Sequence, residues 1–119
     1  MVRIFKALSE ESRLRILSLF VSGGDLCVCE VEEILGMTQS NASRHLTVLR
    51  NCGLLECYRK AQWTYYKLNQ IFISENKELW DYLSSKLTAC ATYDDDCRKL
   101  ETCRITDLCG CKTRKGESK

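Results

Sequence analysis

A mainly helical domain carrying one small β-hairpin is the fold class predicted by three features of the 119-residue sequence. Proline is absent, so no internal position is barred from a helix. Apolar residues recur at three- and four-residue spacing through most of the chain. One stretch, between positions 54 and 68, switches to alternation rich in aromatic side chains, the pattern of paired strands.

Each element follows from local chemistry. Ile4, Phe5 and Leu8 form a short apolar face for a first helix. Leu14, Ile16, Leu17, Phe20 and Val21 continue at helical spacing from about Glu10 to Val21. Ser9 and Ser12 are available as caps there, and Gly23-Gly24 as the stop. A third, short helix is predicted from Val28 or Cys29 to Leu35, closed by Gly36. Thr38 is a good N-cap for a fourth, running to about Asn51 and burying Ala42, Leu46 and Leu49. Two strands follow, Leu54–Arg59 and Trp63–Leu68, joined by Lys60-Ala61-Gln62, a link without the glycine that tight hairpins favour. From Asn69 the helical period returns. Ile71, Leu79, Trp80, Leu83 and Leu87 mark one long amphipathic segment, and Leu100 a further helix over about Asp94–Arg104.

The third and fourth helices, separated only by Gly36-Met37, read as a helix-turn-helix, and a hairpin directly after one reads as a wing. The predicted architecture is therefore a winged helix-turn-helix, α-α-α-α-β-β-α(-α). Residues 1–104 form one domain, and 105–119 a flexible, basic, cysteine-containing tail. A hydrophobic fraction of 45% supports a packed core. No apolar run approaches the roughly 18 residues that cross a bilayer. The polar stretch Ser9–Arg13 follows the N-terminus too soon for a signal-peptide core. A cytoplasmic protein without a membrane partner is expected. In a reducing compartment nine cysteines, an odd number, point to metal or redox chemistry rather than to a disulfide framework.

The net charge of +2 is unevenly spread. Residues 37–68 carry five basic side chains and one acidic, against four and six in residues 1–36 and five and eight in residues 69–108. This basic island coincides with the fourth helix and the hairpin, as contact with phosphates requires. Thr38, Gln39, Ser40, Asn41 and Ser43 open that helix, where free N–H groups favour phosphate and amide side chains pair with adenine edges. Arg44 and Arg50 suit phosphate contacts, His45 either packing or a phosphate contact, and Arg59 and Lys60 at the wing tip suit the minor groove. Double-stranded operator DNA is the expected partner. An enzyme is not expected, since the one histidine lies on this helix and no acid–base pair or nucleophile triad can be assembled.

Four landmarks in order make the chain resemble the ArsR/SmtB family of metal-responsive winged-helix repressors. They are the run from Ala7 to Leu17; Asp25-Leu26-Cys27-Val28-Cys29-Glu30-Val31; the Thr38–Leu46 helix with Leu49-Arg50; and Gly53-Leu54-Leu55 leading into the strand from Trp63 to Leu68. The likeness covers about residues 4–70. Ser9-Glu10-Glu11 stands where relatives often carry Asp-Pro, a change expected to alter a helix cap.

The resemblance implies that Cys27 and Cys29 are the thiol site of an arsenic, antimony, cadmium or lead sensor. Soft thiolates suit such ions, whereas hard cations want oxygen. As(III) or Sb(III) is the expected inducer, with Cd(II) or Pb(II) as alternatives and no organic cofactor. Residues two apart on a helix point about 200° apart, so capture of one ion by both thiolates is expected to unwind or shift the start of the third helix. Relatives of the arsenic-sensing type carry a third cysteine where this chain has Glu32, leaving the third ligand to a small thiol, water or a tail cysteine. Cys97 and Cys103, with Cys109 or Cys111, form a second candidate metal site; Cys52 and Cys57 read as structural. The histidine-bearing zinc site typical of the family's last long helix is missing. A homodimer joined by the first and the long fifth helices is expected, repressing a metalloid-detoxification operon. A thiol-redox-sensing DNA-binding regulator is the competing reading.

Overall fold

Seven helices and three short strands make up residues 2–106, the part of the chain that the computed structural model describes. Helix α1 (Val2–Leu8) leads into α2 (Glu11–Gly23), the central element, in which every residue from Ile16 to Phe20 is buried. The serine caps expected for α2 are not used. Glu10 occupies the N-cap position without a side-chain bond, and Ser9 Oγ instead donates to the Lys6 carbonyl at 2.7 Å, closing α1.

Strand β1 (Leu26–Cys27) is only two residues long and runs directly into α3 (Val28–Leu35). At the far end of α3, Gly36 takes the left-handed conformation (φ 65°, ψ 35°) and donates its N–H back to the Glu32 carbonyl at 2.9 Å. That geometry suits glycine, which has no Cβ to clash. Thr38 then caps α4 (Gln39–Asn51), its hydroxyl accepting the Asn41 N–H at 3.2 Å, as its sequence position predicts. Ala42, Leu46 and Leu49 of α4 join the core built on α2, and α3 packs against α4 as the first half of the helix-turn-helix.

The wing is β2 (Leu55–Lys60) and β3 (Trp63–Leu68), antiparallel in register from Leu55↔Leu68 to Lys60↔Trp63. Its two-residue turn, Ala61-Gln62, forces Ala61 to φ 57°, a left-handed conformation that costs a residue with a Cβ. On its other edge β3 pairs with β1, giving the order β1-β3-β2. A strand this short has no period to read, and it was not expected.

The long helix expected from Asn69 is broken. Helix α5 (Gln70–Glu75) ends at Asn76, at φ −128° and ψ 45°, before α6 (Lys77–Ala89) resumes. Asn76 donates to the Phe72 carbonyl from both its backbone N–H and its Nδ2, each at 3.0 Å, so its side chain binds local backbone where the helix ends. Helix α7 (Ala91–Thr106) starts earlier than expected and lies across α2 and α3, with Tyr93, Asp96 and Leu100 buried. Arg15 of α2 clamps it with a fork of bonds to Asp96, 2.9 and 3.0 Å, and Tyr93 donates to Glu11.

Three stability effects follow. Arg15→Ala strands a carboxylate that is 3% exposed, and urea unfolding should show a loss of roughly 2–3 kcal/mol. Lys77→Ala, breaking the exposed pair with Asp81, should cost less than about 0.5 kcal/mol. Conversely, Ala61→Gly should raise the unfolding free energy by about 0.5–1 kcal/mol, because it relieves the left-handed turn residue.

Candidate thiol site and nucleic-acid interface

The helix-turn-helix presents a continuous polar edge. Thr38, Gln39, Ser40 and Asn41 at the start of α4 are exposed, as are Arg44 and Arg50; Ser43 is half-buried. Arg59 and Lys60 are exposed at the end of β2, beside the wing turn. Arg50 Nη1 reaches β2 and donates to Cys57 Sγ at 3.4 Å, holding one guanidinium between α4 and the wing.

His45 does not belong to that edge. It is 4% exposed, because it follows Ala42 by three residues and precedes Leu46, placing it on the buried side of α4. Arg13 Nε donates to its Nδ1 at 3.3 Å, and Glu10 Oε1 lies 3.9 Å from its Nε2. It is therefore a packing residue between α2 and α4, not a phosphate contact. Burial, reinforced by the positive charge of Arg44, holds its pKa below the usual value.

At the opposite end of α3 the chain changes from strand to helix at a single residue. Cys27 pairs with Tyr65 of β3 and is also the N-cap of α3, at φ −93° and ψ 163°. Its N–H donates to Glu30 Oε1 at 3.0 Å while its sulfur faces the Glu30 N–H, a capping box with cysteine in the serine position. The spacing Cys27-x-x-Glu30 carries that signal in the sequence, yet Glu30 was not singled out. It is fully buried.

Cys27 Sγ and Cys29 Sγ lie 2.6 Å apart. The expected divergence of about 200° requires both residues to be helical, and only Cys29 is. Cys27 is extended, so its side chain swings towards Cys29, and no unwinding is needed to bring the sulfurs together.

The thiols pack with Tyr58, Trp63 and Tyr65 of the wing in a cluster separate from the main core. The Tyr58 and Tyr65 rings stack with centroids 5.6 Å apart and planes 15° from parallel. Tyr58 Oη donates to Asp25 Oδ2 at 2.7 Å. Burial and that carboxylate push the Tyr58 phenol up to about 12, so it remains a neutral donor.

Cys97 of α7 sits 2.9 Å from Ser22 Oγ at the end of α2. Cys103 follows six residues later on the same helix, about 9 Å along the axis. Cys109 and Cys111 lie outside the described residues. Cys52 donates its thiol proton to the Leu49 carbonyl at 3.2 Å, and burial raises its pKa. Among the described residues no group of three or more histidine, cysteine or carboxylate side chains converges to hold a metal ion.

Residues 10–56 match the family described as "Bacterial regulatory protein, arsR family". HlyU from Vibrio cholerae, a solved structure, is 34% identical, with a TM-score of 0.57 over 69% of this chain and 88% of that one. The chain belongs to the ArsR family. Its winged helix-turn-helix is the fold of a DNA-binding regulator. It is similar to the arsenic resistance transcriptional regulator ArsR2 of Pseudomonas putida, 48% identical over 66 residues, 56% of this chain and 57% of that protein. It is also similar to a cadmium resistance transcriptional regulatory protein CadC homolog of Staphylococcus aureus, 33% identical over 73 residues, 61% and 60% of the two chains. The homodimeric winged helix-turn-helix DNA-binding domain Mb0332 from Mycobacterium bovis is 28% identical, with a TM-score of 0.59 over 71% of this chain and 78% of that one. This ArsR-family chain spans 52–62% of the length of the arsenic-resistance regulators it matches. No helix among its described residues is long and apolar enough to cross a membrane.

The lowered pKa of His45 makes stability pH-dependent with a defined sign. The unfolded chain binds the proton more tightly than the folded one, so stability falls as pH drops below about 6.5 and the loss levels off once the folded histidine is also protonated. Urea midpoints of His45→Gln and wild type, measured between about pH 7.5 and 5, should converge on acidification as the wild type alone loses this contribution.

Proposed function

We propose that this protein is a metalloid-responsive transcriptional repressor. Without inducer a homodimer binds double-stranded operator DNA; it dissociates when Cys27 and Cys29 capture As(III) or Sb(III). The observation that carries this reading is the convergence of the two thiols, 2.6 Å apart, at the start of the helix that packs on α4. Two soft sulfur donors suit a thiophilic ion, and similarity to regulators named for arsenic resistance points the same way. Exposed apolar side chains on α1 (Val2 and Phe5) and α6 (Tyr82) supply surface for a symmetric dimer, which would set two reading helices about one DNA turn apart.

Capture of the ion re-seats the two sulfurs around it without unwinding α3, since Cys27 is already extended and turned towards Cys29. Cys27 is buried against Tyr65 and capped by Glu30, so this motion displaces the β1–α3 junction rather than being absorbed by solvent.

Cadmium or lead is the second reading, favoured by similarity to the CadC homolog; redox switching is a third, favoured by the short distance between the sulfurs. Binding of the wild type to its upstream DNA should weaken about 100-fold in arsenite, while Cys27→Ser and Cys29→Ser should bind equally well with and without it. Release of both variants at the wild-type arsenite concentration would remove these cysteines from the mechanism. Stronger release by cadmium than by arsenite favours the second reading. Release by peroxide alone, reversed by reductant, favours the third.

A further inference from the structure

The thiol pair is built into the wing as much as into the reading unit. Cys27 and Cys29 belong to the small cluster with Tyr58, Trp63 and Tyr65, whereas α3 meets α4 through the main core, in which Val31, Ile34, Ala42 and Leu46 are buried. Cys27 is a backbone partner of Tyr65, and Leu26 of Tyr66, so the thiol-bearing strand is an edge of the wing's own sheet. A second link lies two residues upstream. Tyr58 stacks on Tyr65, its cross-strand partner, and donates to Asp25 at 2.7 Å. The segment preceding α3 is thus held to the wing through side chains as well as through the strand ladder. Tyr65 stands two residues, about 7 Å, from Trp63, which pairs with Lys60 at the wing tip.

We infer that inducer capture is transmitted to DNA through the wing, with Tyr58 and Tyr65 as the positioning residues that carry the displacement of Cys27 to Arg59 and Lys60. The inference rests on the proposed thiol site. Re-seating of the sulfurs on the ion presses Cys27 against Tyr65, its backbone partner, and the Tyr58–Tyr65 stack turns that push into a tilt of the β2–β3 hairpin. The basic tip then leaves the position from which it reaches the groove. The side chains that join α3 to α4 lie in the main core, whereas those packed with the two cysteines belong to the wing.

The test uses full-length protein and separates capture from coupling. Arsenite binding is followed by the sulfur–arsenic absorbance of the thiolates, and DNA binding by anisotropy with a duplex of the protein's own upstream region. Tyr58→Leu removes both the stack and the bond to Asp25, and Tyr58→Phe removes only the bond. Both should bind arsenite as the wild type does, and both should bind DNA without inducer within about threefold of it. The wild type should lose about 100-fold in DNA affinity on arsenite addition and Tyr58→Leu less than about 10-fold, with Tyr58→Phe between them. By reciprocity, DNA should weaken arsenite binding in the wild type and much less in Tyr58→Leu, a readout that a merely structural role would not move. Wild-type release ratios in both variants would overturn the inference. An arsenite absorbance that persists undiminished when Cys27 and Cys29 are both serine would instead strike the underlying thiol site, and this inference with it.

Discussion

Cys27 serves as the end of a strand and the cap of a helix at once, and the functional architecture hangs on that double role. As a strand residue it pairs with Tyr65 and fixes the wing against the body of the domain. As the N-cap it exchanges contacts with Glu30 and sets where α3 begins. The extended backbone that both roles require is also what turns its sulfur towards Cys29. A helical conformation there would lose the strand pairing, the cap and the convergent thiols together.

Magnitudes decide what kind of switch such a junction can be. A coupling of up to about 3 kcal/mol is sufficient to release DNA, whereas unfolding a domain of this size requires roughly 5–15 kcal/mol. On the proposed mechanism, inducer capture needs only to re-seat one junction, a motion that a close-packed interior passes to its neighbours. The surrounding contacts suit such transmission. A fully buried carboxylate, a buried tyrosine and a stacked ring leave Cys27 no soft direction in which to move.

The opposite side of α3 is restrained in a different way. Helix α7 lies over α2 and α3, anchored by the Arg15–Asp96 fork, the Tyr93–Glu11 bond and the buried side chain of Leu100. With α7 behind it and α4 beside it, α3 is held as a rigid body. On the proposed mechanism, motion generated at its N-cap is then directed along the sheet edge. His45, buried between α2 and α4 and bonded to Arg13, stiffens the reading helix from within.

Local chemistry written in the sequence was enough for the helix-turn-helix, the wing, the Thr38 cap, the Gly36 stop and the basic edge. Each depends on residues within one or two turns of each other, where periodicity, capping preference and turn chemistry act. Tertiary structure alone decided how Cys27 and Cys29 are arranged. Strand β1 exists because β3, far along the chain, offers it a ladder, and two residues cannot announce such a pairing by pattern. The same long-range packing buried His45, gathered Tyr58, Trp63 and Tyr65 around the thiols, and held Ala61 in a turn that its own side chain disfavours. Direction along a helix face is a property of neighbours in sequence, whereas convergence of two sulfurs at a strand–helix junction is a property of neighbours in space.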